Sequence, residues 1–159
     1  MNIGATDKLL KVTAYVALAL GLAATLLAFI SLDGFWEDEF FTIAPINEKF
    51  PHFFVAVARF DQHPPFHYFQ VKLWSEVFAS DKGLLLNSVA WHIASCLAVF
   101  LVGRAWLGST VGLLAAAIYA VVPQVVWASA TLRAYSMIPG LAIGTWWLNV
   151  RGLSSTEMR

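Results

Sequence analysis

The chain has 159 residues, 59% of them hydrophobic and only 13% charged, with ten basic side chains balanced by ten acidic ones. That is too apolar and too poorly charged for a soluble domain, and zero formal net charge with no basic stripe excludes a nucleic-acid partner. The single cysteine, Cys96, lies inside an apolar run, can close no internal disulfide and reads as a small buried hydrophobe.

Lys8 and Lys11 precede an uncharged run over residues 12–30, long enough for a helix to cross the hydrocarbon layer of about 30 Å. It is longer than a signal-peptide core and no small-x-small cleavage site follows, so it is a retained first span. Basic residues before it and acids after it predict a cytoplasmic amino terminus. Immediately beyond stands Phe35-Trp36-Glu37-Asp38-Glu39-Phe40-Phe41, three carboxylates among aromatic rings. Crowding and lost hydration both make ionisation harder there, and this is how acid/base sites are built. The competing reading is a solvated acidic loop.

Residues 31–83 form a long polar-aromatic loop broken by Pro45, Pro51, Pro64 and Pro65. Proline is accepted in a first helical turn and not in a helix interior. The segment should therefore fold as short helices: one over 37–44, one from Pro51 and one from Pro64-Pro65. In the last, over 65–79, Phe66, Phe69, Leu73 and Val77 recur at helical spacing, while Lys72 and Glu76 sit elsewhere on its surface. His67, Gln70, Lys72 and Glu76 would be costly at bilayer depth, so this helix is predicted to lie at the interface.

A second span is predicted over 84–103, then a tight basic turn at Arg104-Ala105-Trp106-Leu107-Gly108. A third follows over 109–128 with a kink at Pro123, and a fourth over 134–150 kinked at Pro139. Ser88, His92 and Ser95 share one face of the second span, with His92 read as an interhelical hydrogen-bonding residue. Gly108-x-x-x-Gly112 and Gly140-x-x-x-Gly144 offer close helix packing. With four spans, Lys8, Lys11, Arg104, Arg151 and Arg159 share the cytoplasmic side with Asp7 and Glu157 only. Asp38, Glu39, His63 and Arg133 then share the opposite face. The expected fold is all-α, a polytopic membrane helical bundle with interfacial juxtamembrane helices, in one domain over residues 1–159.

The order of motifs now carries a resemblance. Trp36-Glu37-Asp38-Glu39 after the first span, Asp61-Gln62-His63-Pro64-Pro65-Phe66-His67-Tyr68, then two spans and Arg133-Ala134-Tyr135 resemble the amino-terminal part of the GT-C membrane glycosyltransferases. The branch most like it holds bacterial relatives of the protein O-mannosyltransferases and of the lipid A aminoarabinose transferase. The resemblance implies a sugar donor carried on polyprenyl phosphate, an extracytoplasmic glycan, lipid or protein acceptor, and inversion at the anomeric carbon. It implies Asp38 as the base, with Glu39 orienting the acceptor or fixing Asp38. His63 and Arg133 would be cations for the leaving phosphate, with Tyr135 as a further hydrogen-bond donor. It also implies an inner-membrane location, among membrane lipids.

Two positions depart from the family pattern. Ala130 and Thr131 stand where a polar pair usually precedes the arginine, and Leu84-Leu85-Leu86 where a basic residue often opens the second span. Family members also have many more spans. The chain accordingly reads as an incomplete module: a fragment, a truncated reading frame, or one half of a complex with a partner membrane subunit. Without transfer chemistry it would be an accessory protein that keeps the fold. A transporter is disfavoured, since apart from the histidine the spans carry no ionisable residue. No metal-ligand spacing or phosphate-binding glycine loop is present, so no cofactor is expected, although a divalent cation stays open.

Overall fold

A computed structural model describes residues 3–60 and 64–156, and it is helical throughout, with no strand among the described residues. The elements are α1 (Ile3–Ser31), α2 (Phe40–Ile46), α3 (His52–Phe60), α4 (Pro65–Ser75), α5 (Asp81–Leu107), α6 (Ser109–Val121), α7 (Pro123–Ser129) and α8 (Met137–Thr156). Short 3-10 turns at Glu37–Glu39 and Ala134–Ser136 lead into α2 and α8.

Two helices, α1 and α5, are long and apolar enough to cross a membrane. The pair α6–α7, bent by 69°, makes up to three if it counts as one span. The expected fourth span corresponds to α8, whose polar carboxy-terminal turns keep it short of that measure. The bend has a local cause. Val122, ahead of Pro123, takes an extended ψ of 122°, because the proline ring disfavours helical backbone in the residue before it. Pro139 produces no kink, contrary to expectation, because it falls in the first turn of α8, where its missing N–H costs nothing.

Packing follows small side chains. A Cβ on Gly112 would lie 2.5 Å from the backbone nitrogen of Arg104, and one on Gly103 2.8 Å from the Cα of Gly112, so α5 and α6 touch backbone to backbone. In lipid, such close approach, not hydrophobic exclusion, holds helices together. Gly108 plays a different part from the one its spacing suggests. It is the whole turn between α5 and α6, at φ 92°, and Arg104 to Leu107 complete the last turn of α5 and are no loop.

Two polar ties set the direction of the helices. Thr110 donates to Asp7 at 2.6 Å, so α6 begins beside the start of α1. Lys82 donates to the carbonyls of Phe29, Ile30 and Leu32, capping the end of α1 from the start of α5. A cation there answers the exposed carbonyls and the negative end of the helix dipole. Because α5 starts at Asp81, a basic residue does open the second long helix, in the form of Lys82.

The loop between α1 and α5 has its own core of Ile46, Phe53, Val57, Tyr68, Val71, Leu84 and Leu85, joined by Leu132 from the α7–α8 connection. The short helices begin where the prolines predict, although Pro45 is accommodated inside α2 and α4 stops at Ser75. The orientation of α4 is the reverse of a soluble amphipathic helix. Phe66, Phe69, Leu73 and Val77 are all exposed, with Leu73 at 53%, while His67, Tyr68, Val71 and Lys72 face inward. Gln70 and Asn87 exchange both amide hydrogen bonds, at 3.0 and 2.8 Å, tying that inner side to α5. Lys72, expected on the surface, is buried. Its Nζ donates to the Ile46 carbonyl at 2.7 Å, over the rings of Phe50 and Phe53. An apolar face turned outward is what an interfacial helix presents to lipid.

Candidate active site

The site forms where the acidic turn meets the α7–α8 connection. After Ser129 the helix stops, and residues 130–133 run as turn and bend, with Arg133 extended at φ −130° and ψ 166°. Backbone groups in such a stretch have no helical partners and need others. Glu39 supplies one of them. One carboxylate oxygen accepts the N–H of Leu132, and the other accepts the N–H of Trp36 at 2.6 Å. The backbone N–H of Glu39 returns a bond to the Trp36 carbonyl at 2.9 Å, closing the turn.

Glu39 is 1% exposed, and burial raises its pKa above the ordinary carboxylate range. The two N–H bonds and the Arg133 charge oppose that rise, and the Asp38 charge adds to it. A buried carboxylate is tolerated only when it is hydrogen-bonded in this way.

Arg133 lies across the same junction. It is 8% exposed, and its guanidinium donates to the backbone carbonyl of Asp38 at 2.9 Å. The carboxylate of Asp38 is exposed, as is that of Glu37. The neighbouring Leu132 is fully buried in the loop core, a burial worth about 1.5–3 kcal/mol. So Asp38, Glu39 and Arg133, separated by more than ninety residues, are joined through Glu39 and the Asp38 carbonyl. His63, with Asp61 and Gln62, lies outside the described residues.

Tyr135 is 40% exposed, its ring 5.8 Å from that of Trp127. Trp127 is a shared wall between two recesses, each of about 490 Å³. One runs along α1, lined by Ala24, Ala28, Leu32, Trp36, Val126 and Ala130, with Ser31 and Thr131 as polar members. The other is lined by Tyr119, Gln124, Trp127, Tyr135, Ser136 and Pro139.

The face of α5 read from its serine spacing serves this site directly. Ser88 donates to the Thr131 carbonyl and Ser95 to the Ser136 carbonyl at 3.1 Å. His92 between them stacks on Tyr119 of α6 with ring centroids 5.9 Å apart. Contrary to expectation, it makes no hydrogen bond to another helix among the described residues: Nε2 meets Cys96 Sγ one turn along α5 at 3.8 Å, and Nδ1 is buried without a partner. Sequence reasoning missed the burial of Lys72 and the two serines' bonds to the segment around Arg133. A lone charge on an apparently exposed face, or hydroxyls that bond only main chain, leave no motif.

Comparison with known proteins gives one family. The model of the dolichyl-phosphate-mannose-protein mannosyltransferase family matches residues 62–159, more than half of the chain. No curated protein and no solved structure matches. The match takes in Pro64-Pro65, Arg133 and Tyr135 and begins after the acidic turn, which the fold brings back onto Arg133. The chain therefore belongs to the dolichyl-phosphate-mannose-protein mannosyltransferase family, a family of membrane glycosyltransferases of the GT-C type.

Proposed function

We propose that the chain is a glycosyltransferase, or the amino-terminal module of one. It would pass a sugar from a polyprenyl-phosphate donor to a hydroxyl on the far side of the inner membrane, with its amino terminus in the cytoplasm. The observation that carries this reading is the junction itself. The buried cation Arg133 donates to the backbone carbonyl of Asp38, a residue that is itself exposed.

The chemistry divides between those two groups. Asp38 takes the acceptor hydroxyl proton as its oxygen attacks the anomeric carbon. The bond from that carbon to the donor phosphate oxygen breaks, and polyprenyl phosphate leaves carrying the negative charge. Arg133 stabilises this anion by charge-assisted hydrogen bonding as it forms. Tyr135 adds a second donor, and His63 a further cation. Glu39 acts through the backbone by fixing the Arg133 segment against the acidic turn. The apolar recess along α1 suits the isoprenoid chain of the carrier.

The test is release of polyprenyl phosphate from a sugar-loaded donor by membranes carrying the full chain. Loss of general-base assistance is worth about 10²–10⁴-fold, so Asp38→Asn should lower release by that much with insertion and yield unchanged. Wild-type turnover in Asp38→Asn would remove Asp38 as the base.

A further inference from the structure

Between α7 and α8 the chain has to stay unwound. Arg133 reaches Asp38 from an extended residue, whereas Ala, Thr and Leu before it are free of any residue that forbids a helix. The proline that breaks α6 from α7 lies ten residues earlier, and Pro139 accounts for α8 starting near Met137 but not for the extended backbone of Arg133 six residues before it. We infer that Ser88 and Ser95 of α5 are positioning residues, a two-point hydroxyl ruler that keeps residues 131–136 from closing into one α-helix, with Arg133 extended ahead of the 3-10 turn at Ala134–Ser136, so that Arg133 is presented to the donor phosphate.

Both hydroxyls are buried, and both donate across the helix interface to another segment's carbonyls, Thr131 and Ser136. Serine inside a long helix ordinarily returns its hydrogen bond to a carbonyl of its own preceding turn. The two serines are two turns apart, about 10.5 Å along the axis at 1.5 Å per residue. The five residue steps from 131 to 136 would cover about 7.5 Å as α-helix. Matching carbonyls to both serines therefore favours a stretch longer than a helix provides. Glu39 then takes the Leu132 N–H that lies between the pins. Each pin satisfies one carbonyl of a buried residue, so losing it leaves that acceptor short of a partner.

The inference rests on the assignment of Arg133 to the donor phosphate, and binding can separate the two. The full chain in lipid nanodiscs would be titrated with a short polyprenyl phosphate and with the matching polyprenol, following tryptophan fluorescence. Arg133→Ala should weaken binding of the phosphate at least about tenfold and leave the alcohol unaffected. Ser88→Ala with Ser95→Ala should weaken the phosphate by about tenfold, again sparing the alcohol, because the pins act on how the cation is presented. Ser88→Thr with Ser95→Thr, which keeps both hydroxyls, should recover most of the loss. Amide exchange over residues 130–136 should quicken in the alanine pair alone, with α1 and α5 unchanged.

Equal phosphate binding by the alanine pair and wild type, with Arg133→Ala impaired, overturns the ruler and leaves the phosphate assignment standing. Parallel loss of phosphate and alcohol also overturns it, since that is general unfolding. Normal phosphate binding by Arg133→Ala overturns the phosphate assignment and the inference with it.

Discussion

Glu39 shows how a single residue is committed by its surroundings. Both of its oxygens are occupied by backbone N–H groups, from Trp36 and Leu132, and almost none of it meets solvent. Its neighbour Asp38 keeps an exposed carboxylate one position away. The pair therefore separates into a group that holds structure and a group open to solvent. Burial lifts the pKa of Glu39 above the 4.5 of an ordinary glutamate. The folded state thus binds this proton more tightly than the unfolded one. The stability it contributes is full below the unfolded value and lost as pH rises through the folded value. Thermal melting of the detergent-solubilised protein between about pH 4 and about pH 8 should fall more steeply for wild type than for Glu39→Gln. The glutamine offers one acceptor oxygen to two donors, so the variant should also lose about 1–3 kcal/mol at every pH. Parallel curves for the two proteins would contradict the raised pKa. The order of Asp38, Glu39 and Arg133 was legible in the sequence. That Glu39 clamps main chain was not, because a side chain bonded to backbone imposes no choice on the residues it meets.

At the scale of elements, helix positions were readable and orientations less so. The prolines announced the starts of α3 and α4, and Pro123 announced the bend. The apolar stripe of α4 was legible as a stripe, yet which way it points depends on the solvent. The stripe turns outward and the polar side, with Lys72 and His67, turns in, as it would against lipid. The same inversion moved Lys72 from surface to interior. Spacing of glycines likewise could not tell packing from turning: Gly112 packs against α5, whereas Gly108 turns the chain and a Cβ on Gly144 would meet open space. A nitroxide label at Leu73 or Phe69 should be reached by oxygen, which concentrates in lipid, and protected from a water-soluble nickel reagent. A label at Leu73 relaxed mainly by the aqueous reagent would show that α4 stands away from the membrane.

For the whole molecule, the arrangement converts distant segments into one site. Lys82 fixes the end of α1 to the start of α5, and Thr110 fixes the start of α6 to that of α1. These ties set the direction in which the chain reaches Arg133. Leu132 then plugs into the core of the loop that carries the acids, so loop and bundle share a core. The all-helical membrane architecture followed from composition and run length, while the number of spans did not, since a bent pair and a partly polar α8 are ambiguous by length alone. The account's central claim is a division of labour across this junction, base on one side and phosphate cation on the other. The measurement that tests it most directly is the dependence of sugar transfer on donor concentration in Asp38→Asn and Arg133→Ala. The account predicts that Asp38→Asn lowers kcat and leaves donor affinity near wild type, while Arg133→Ala weakens donor affinity at least about tenfold, as losing a charge-assisted bond to phosphate requires. Wild-type kcat in the first variant together with wild-type donor affinity in the second would contradict it.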